Sequence, residues 1–410
     1  RLLAASSLVQ VMQALCLSVS AAEPPEQRTV MLKELVGPVI LHLQGAAAAA
    51  VTRSGDPAVT ETIVRCCCML QGACKAADFY THDTVFELVS PVLGALTGAV
   101  EAARELHDVT DAIVQLYVAM AEALVSYLSS QQMSIFDRAC LQLLQTFARV
   151  EGAGAGAGSA LQEARDEWLR EHMLALLQLL LHLARKDVVD FSNEGRTDSM
   201  DVADVVLFGL GIVQPLITPD TLQFPALAKE FFALLGWLVE SYPHKVSCME
   251  RGMLDAMMAC LHFGLQQADS ENARVSVEAI DALATYQIGT MQPDGSYLLQ
   301  QRHPAMLSFF LQGLLETMLF KQFDRAVLES SCDALLSLLS CEQHKFTQLM
   351  TQVVHGQAMA EHRQQVSEAT SVLLAQVHAS GPAVQRAAKL QFRTHMRAFL
   401  TAVRPFLVTI

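Results

Sequence analysis

The sequence has few of the residues that β-rich and turn-rich folds require. Of its 410 residues only 6% are aromatic, and 21 glycines and 13 prolines interrupt an apolar content of 52%. The apolar residues are largely Leu, Ala, Val and Met, a mixture that favours helices over strands. No stretch of strand length alternates convincingly between apolar and polar residues. The composition therefore predicts an almost entirely α-helical protein.

Charged residues are also scarce, and basic residues are the scarcer kind. Only 17% of the residues are charged, and this low charge together with the high apolar content excludes an intrinsically disordered chain. Lys and Arg number 28 against 42 Asp and Glu, which gives a net charge of −14. That sign is wrong for a protein that neutralises phosphates, so direct nucleic-acid binding is disfavoured and basic proteins are the expected partners.

The sequence lacks the signatures of enzymes and metal sites. A GxSxG elbow, a Walker A loop, kinase motifs, HExxH and paired CxxC units are all absent. The nearest approaches to a zinc site are Cys260 with His262 and Cys341 with His344, and both are more typical of thiols on helix stripes and histidines at the surface. We therefore expect neither an enzyme nor a bound metal or cofactor.

The ten cysteines form no disulfide framework. Cys66, Cys67 and Cys68 are consecutive, and the others are irregularly spaced in a long chain. This usage is typical of reduced thiols in the cytosol or nucleus. The triplet points in three directions around a helix, so it cannot chelate one ion by itself, and we expect it to be partly in the core.

An uncharged run at residues 2–22 superficially resembles a signal peptide or a membrane span. However, Ser6 and Gln13 fall near one helical face, whereas Leu3 and Val11 fall on another, as in an amphipathic helix. The run is therefore predicted to be a helix of a repeat, and no membrane association is expected.

Helical periodicity with short breaks recurs along the whole chain. Pro-containing turns such as those at 55–57, 241–243 and 380–382 separate the periodic segments. The predicted helices span about residues 2–20, 26–44, 57–76, 82–106, 109–129, 132–150, 161–186, 202–218, 225–242, 250–267, 271–288, 302–321, 324–340, 343–355, 360–378 and 383–404. These sixteen helices form eight pairs.

The spacing of the pairs indicates a repeat architecture. At about fifty residues per pair it is close to HEAT and armadillo repeats, which stack into a superhelical solenoid with a long concave surface. We predict helical repeats over 1–151, a Gly/Ala-rich connector at 152–160 that serves as a tether, and further repeats over 161–410. A large irregular helical domain is the alternative that periodicity leaves open.

A polar, acidic loop at 187–201 separates two long apolar helices. The candidate partner-binding residues are Asp187, Asp190, Glu194, Asp198 and Asp201, with Asp204 immediately after the loop. Loops of this kind often meet partners. The alternative is a solvated loop whose last carboxylates cap the helix predicted at 202–218.

Four segments in this region carry a resemblance to a known family. They are CLQLLQTF at 140–147, ARKDVVDFS at 184–192, VADVVLFG at 202–209 and LQFP at 222–225. In this order they resemble the C-terminal region of nuclear export receptors of the importin-β (karyopherin) superfamily. The similarity covers about residues 130–290, and the connector and the alanine run at 46–50 depart from the family pattern.

The resemblance implies a shuttling HEAT-repeat receptor that binds Ran-GTP together with protein cargo and contacts FG nucleoporins in the nuclear pore. Cargo of the receptors that it resembles includes the translation factor five A and Smad-type transcription factors. Such receptors are far longer than this chain, which starts at Arg1 rather than Met, so we expect a C-terminal portion located in nucleus and cytoplasm. GTP belongs to Ran, so no cofactor is implied. The alternative is a cytosolic HEAT or armadillo scaffold unrelated to transport.

Overall fold

The computed structural model describes residues 4–22, 25–53, 55–102, 107–153, 162–187, 201–290, 298–321, 324–357, 359–379 and 385–407. Within these residues the chain is helical and contains no strand. The all-α fold class predicted from composition is therefore confirmed. The chain divides into two compact units, Arg1–Glu230 (unit 1) and Phe231–Ile410 (unit 2).

The helices of unit 1 follow the predicted periodicity. They are α1 (Ala5–Ser20), α2 (Pro25–Thr52), α3 (Pro57–Lys75), α4 (His82–Val89), α5 (Leu93–Ala102), α6 (His107–Leu124), α7 (Ser130–Ala153), α8 (Gln162–Asp187), α9 (Val202–Val213) and the start of α10 (Pro225–Ser241). The predicted connector at 152–160 lies, from residue 154 onward, outside the described residues.

Unit 2 contains the remaining helices. They are the rest of α10, α11 (Pro243–Ser247), α12 (Arg251–Leu265), α13 (Ser270–Gly289), α14 (Leu298–Arg302), α15 (Met306–Phe320), α16 (Arg325–Cys341), α17 (Gln343–His355), α18 (Ala360–Ala379) and α19 (Arg386–Val403). The short helices α11 and α14 were not predicted, because five residues are too few to show a helical period.

Within each unit, helices alternate between two layers. In unit 1 the first layer is α1, α3, α6 and α8, and the second is α2, α5, α7 and α9. In unit 2 the first layer is α13, α16 and α19, and the second is α12, α15 and α17. Each helix packs on the neighbours that precede and follow it in its layer, which is the arrangement of a HEAT/armadillo-like solenoid. This confirms the predicted repeat architecture.

The helices begin and pack for reasons that the sequence contains. Asp56 and Asp269 cap α3 and α13 by accepting hydrogen bonds from backbone N–H groups, at 3.0 Å from Ala58 N and 2.9 Å from Asn272 N. The predicted stripe of α12 is buried throughout its length; its members are Leu254, Met257, Met258, Leu261 and Leu265. On α16 the corresponding stripe is buried at Cys332, Leu335 and Leu339, whereas Leu328 is half-buried.

One predicted helix is broken. The segment predicted as a helix at 82–106 forms α4, a 3-10 turn at Ser90–Val92, and α5. Pro91 lies in this turn, and because proline has no backbone N–H it removes a hydrogen bond that a continuous helix requires.

The cysteine triplet is buried more completely than the sequence indicated. Helix α3 packs against α1, α2 and α6, so Cys66, Cys67 and Cys68 are all in the core. Burial raises the pKa of the Cys67 thiol well above its usual value and that of Cys74 to about 12. All ten cysteines are free.

We expect thiol reagents to distinguish these cysteines sharply. Because the thiolate is the reactive form, buried thiols with raised pKa values should react with a disulfide reagent only after unfolding. Cys248 is the exposed cysteine, so one thiol in ten should react quickly in the native protein. Cys248→Ser should remove the fast phase. More fast thiols in that variant than the partly exposed Cys260 and Cys341 could supply would contradict the packing of α3.

Among the described residues, two helical stretches, Glu26–Thr52 and His82–Ala102, are long and apolar enough to cross a membrane by length and composition alone. Both also pack on other helices of unit 1, since α2 contacts α3 and α5, and α5 contacts α7. Core helices of a soluble protein pass the same test, so the two stretches are weak evidence for a membrane span.

Candidate functional site

The predicted acidic site falls partly on described residues. Asp187 is the last residue of α8, and its side chain, like residues Asp190, Glu194 and Asp198, lies outside the described part of the chain. Asp201 caps α9, its Oδ1 accepting a hydrogen bond from Ala203 N at 2.9 Å.

Asp204 occupies the first turn of α9 and is exposed. Asp201 and Asp204 therefore both lie at the start of α9. This is where one of the two interpretations of the sequence placed them, as carboxylates that cap the helix. The partner-binding role of the six residues stays a prediction.

A groove in unit 2 lies between the second-layer helices α12, α15 and α17. It has a volume of about 740 Å³. Its deepest side chains are the buried Leu315, Leu319 and Leu349, and Phe320 and Val353 border it with partly exposed apolar surface. The groove therefore has an apolar floor that is open to a ligand.

A glycine on α15 sets the width of the groove. A Cβ atom at Gly313 would lie 2.7 Å from Nε2 of His262, so only glycine lets the imidazole of α12 come this close to α15. The ring of His262 also packs on Phe309, with 4.5 Å between the ring centroids. Burial lowers the pKa of His262, an effect that nearby Glu316 opposes and Lys321 reinforces, so the ring is neutral at physiological pH.

Glutamine side chains form the polar part of the groove: Gln266, Gln312, Gln352 and Gln357. Gln357 is only 8% exposed, and its Nε2 donates to the carbonyl oxygen of Val353 at 3.1 Å. Its Oε1 atom finds no hydrogen-bond donor among the described residues. A buried acceptor without a donor costs about 1–3 kcal/mol.

The lining of the groove suits the binding of a largely apolar ligand. Among the described residues no group of three or more His, Cys, Asp and Glu side chains could hold a metal ion. Burial raises the pKa of Cys260 to about 11, which keeps this thiol, on the same helix as His262, protonated. An apolar floor and a glutamine wall suit an extended peptide, whose backbone N–H groups are free and whose apolar side chains alternate.

A second feature of unit 2 is a network of charges on the first layer, which we call the charged seam. Its members lie on α13, α16 and α19: Glu271, Arg274, Glu278, Asp281, Arg325, Glu329, Asp333, Lys389, Arg393 and Arg397. Arg393 makes a two-pronged contact with Asp333, at 2.7 and 2.6 Å. Lys389 of α19 pairs with Asp281 of α13 at 2.6 Å.

The charged seam joins three successive first-layer helices by side-chain bonds. Asp281 of α13 also accepts a hydrogen bond from Ser337 of α16 at 2.6 Å. The Asp281–Lys389 and Asp333–Arg393 pairs are mostly buried, with side-chain exposures of 15% to 27%. Partly buried, geometrically matched pairs of this kind fix the spacing of the helices that carry them.

Sequence reasoning missed both the groove and the charged seam. Carboxylates on helices were interpreted as solvated faces, and the glutamines of the groove carried no motif. One signal was present: Lys389, Arg393 and Arg397 follow each other at steps of four, which places three basic side chains on one face of α19.

Comparison with known proteins adds little to this description. No protein-family model matches the chain. One similar solved structure is the crystal structure of an engineered protein from the Northeast Structural Genomics Consortium, with 14% sequence identity and a TM-score of 0.36. The match covers 95% of this chain and 98% of that one. At this TM-score the similarity supports no argument about function.

Proposed function

We propose that this chain is the C-terminal portion of a nuclear export receptor resembling exportin-4, which carries protein cargo together with Ran-GTP through the nuclear pore. The ordered resemblance of the segments between 140 and 225 is the observation that carries the proposal. The two-layer helical repeats and the peptide-sized groove of unit 2 support it.

The mechanism is one of coupled binding. Neighbouring helices in a repeat protein share shallow, distributed contacts, so their spacing changes at modest cost in free energy. Ran-GTP and cargo become coupled when both favour the same spacing, and hydrolysis of GTP on Ran then releases the cargo. In unit 2 the charged seam favours one spacing of α13, α16 and α19.

The groove of unit 2 suits the FG repeats of nucleoporins. A phenylalanine side chain would pack on Leu315, Leu319 and Leu349. The rim carries one acidic and one basic residue, Glu316 and Lys321, which suits a segment without net charge.

Placing a charge in the groove should abolish most of this binding. We expect Val353→Asp to weaken the affinity of the groove for a labelled FG-repeat peptide by about tenfold. The reason is that a desolvated carboxylate would face the phenylalanine ring of the peptide. Val372→Asp is the matched control, since Val372 is 56% exposed on α18 and does not line the groove. Fluorescence anisotropy measures both. Equal affinities in the two variants would remove the groove from the proposal.

The transport function itself is tested by the nucleotide state of Ran. With the full-length protein immobilised, recovery of the translation factor five A should be high with Ran-GTP and low with Ran-GDP. Equal recovery in both states would contradict an export receptor. Together with failure to bind FG repeats, that result would favour the cytosolic scaffold.

A further inference from the structure

Unit 1 exposes two neighbouring aromatic side chains in the loop between α3 and α4. Phe79 is 68% exposed and Tyr80 is 69% exposed, more than any other described aromatic residue. Aromatic residues are otherwise mostly buried in this protein, in which only 6% of residues are aromatic. Two rings left side by side in water are unusual for a surface with no binding role.

The loop that carries the two rings is rigid. Oδ1 of Asp78 accepts hydrogen bonds from the backbone N–H groups of Tyr80 and Thr81, at 2.9 and 3.0 Å. The buried Thr81 hydroxyl donates to the same oxygen at 2.9 Å and accepts from Asp78 N at 3.0 Å. The backbone that carries the rings is therefore held in place, so a partner that binds the rings does not have to order the loop.

The rings belong to a continuous patch, which we call the aromatic surface: Phe79, Tyr80, His82 and Tyr127. The ring centroids of Phe79 and Tyr80 are 5.5 Å apart, edge to face, and those of Phe79 and His82 are 6.2 Å apart. His82 lies 5.0 Å from Tyr127, which is 44% exposed in the turn after α6.

The aromatic surface already holds one guanidinium group. Arg28 of α2 places its guanidinium carbon 5.3 Å from the ring centroid of Tyr80. Its Nε also donates to the carbonyl oxygen of Ala22 at 2.7 Å, so this arginine is held in place within unit 1. The contact shows the cation–π geometry that a second, incoming arginine would use on the neighbouring ring.

Carboxylates lie beside the rings. Asp83 has a side chain that is 63% exposed, and its Oδ2 is 3.5 Å from Nε2 of His82. Its Oδ1 accepts a hydrogen bond from Gln132 Nε2 at 2.9 Å. Glu87 is exposed one turn later on α4, on the same face as Asp83.

These charges decide which partner fits the aromatic surface. A purely apolar partner would desolvate Asp83 and Glu87 without pairing them, and an acidic partner would be repelled. An arginine side chain suits both the rings and the carboxylates, because its planar guanidinium stacks on aromatic rings and also hydrogen-bonds carboxylates. The net charge of −14 adds long-range attraction for such a partner.

We propose that the aromatic surface is a docking site for an arginine-bearing segment of a partner protein, with Phe79 and Tyr80 as anchors and Asp83 and Glu87 as the paired carboxylates. The inference is independent of the transport proposal, because it concerns side chains of unit 1 that the groove and the charged seam do not include.

Calorimetric titration of the whole chain tests the proposal with two synthetic peptides. One alternates arginine with serine, and the other is identical except that the uncharged isostere citrulline replaces each arginine. The arginine peptide should bind about tenfold more tightly than the citrulline peptide, and the advantage should shrink as salt is added.

Two double variants identify the surface. Phe79→Ser with Tyr80→Ser, and Asp83→Asn with Glu87→Gln, should each lower the affinity for the arginine peptide by about tenfold. Phe208→Ser, at an exposed ring of α9 in unit 1, is the matched control and should leave the affinity unchanged. Circular dichroism checks that each variant is folded. Equal affinity for the two peptides, or full affinity in the Phe79/Tyr80 variant, would overturn the proposal.

Discussion

Replacing Gly72 with alanine should lower the free energy of unfolding of unit 1 by about 3 kcal/mol, at the upper end of what overpacking costs. Gly72 lies in α3 where α1 crosses it closely. An added Cβ would lie 2.9 Å from the backbone nitrogen of Gln13 and closer still to the carbonyl oxygen of Val9. Backbone atoms cannot rotate away as a side chain can, so α1 would have to move.

Helix α1 is not free to move without further losses. On the same helix Leu8, Met12 and Cys16 are buried against the rest of unit 1, and any displacement of α1 opens space beside them. Thermal unfolding followed by circular dichroism measures the loss, and amide hydrogen exchange in α1 and α3 shows whether it is local.

Gly45 provides the matched control. It lies inside α2, and nothing lies within 4 Å of the Cβ that an alanine would add. Alanine is the better helix former by about 1 kcal/mol, so Gly45→Ala should stabilise unit 1. If both substitutions changed stability in the same direction and by similar amounts, the close approach of α1 and α3 would be wrong.

The helices could be predicted because each carries its own local signal. Helix α17 spans Gln343–His355, as predicted, and α3 ends one residue before its predicted end. Apolar residues at steps of three and four, with Asp or Pro at helix starts, are visible within one helix and do not depend on its neighbours.

The groove and the charged seam could not be predicted, because they depend on residues that are distant in sequence. Lys389 and Asp281 are 108 positions apart, and their pairing follows only from the order in which α13, α16 and α19 stack. His262 of α12, Gly313 of α15 and Gln357, which follows α17, likewise line one groove from distant parts of the sequence. Periodicity shows which face of a helix is buried but not which helix lies against it.

The segments that carry the family resemblance contain residues that pack helices together rather than residues shown to contact a partner. In VADVVLFG at 202–209, Val205 and Val206 are buried, and a Cβ at Gly209 would lie 2.9 Å from Cδ1 of Leu180. In CLQLLQTF at 140–147, Cys140 and Phe147 are buried as well. These residues hold helices together, whereas partner contacts require tests at exposed residues such as those of the groove.

Reversing one charge in the charged seam should have an effect as large as the glycine substitution. We expect Asp333→Arg to lower the free energy of unfolding of unit 2 by about 3 kcal/mol, since breaking a largely buried ion pair leaves the partner charge desolvated. The substitution removes the two hydrogen bonds that Arg393 donates to Asp333 and adds a third positive group beside Arg393 and Arg397. Urea unfolding, followed by circular dichroism, measures this loss in the free energy of unfolding.

The pH dependence of the charged seam has a definite sign. Hydrogen bonds from Arg325 and Arg397 lower the pKa of Glu329 below its usual value. A lowered pKa in the folded state means that Glu329 stabilises unit 2 above its unfolded-state pKa, and that this contribution disappears as the pH falls through the folded-state pKa. The stability difference between the wild type and Arg397→Ala should therefore shrink in acid.

A charge swap distinguishes pairing from a general intolerance of substitution at position 333. The double variant Asp333→Arg with Arg393→Asp restores opposite charges across α16 and α19, and it should recover about half of the lost stability because Glu329 then faces a carboxylate where Arg393 stood. If the two single losses simply added in the double variant, the pair would not be coupled. Recovery of stability would instead assign the spacing of these helices to the charged seam, which is the property that the coupled-binding mechanism requires.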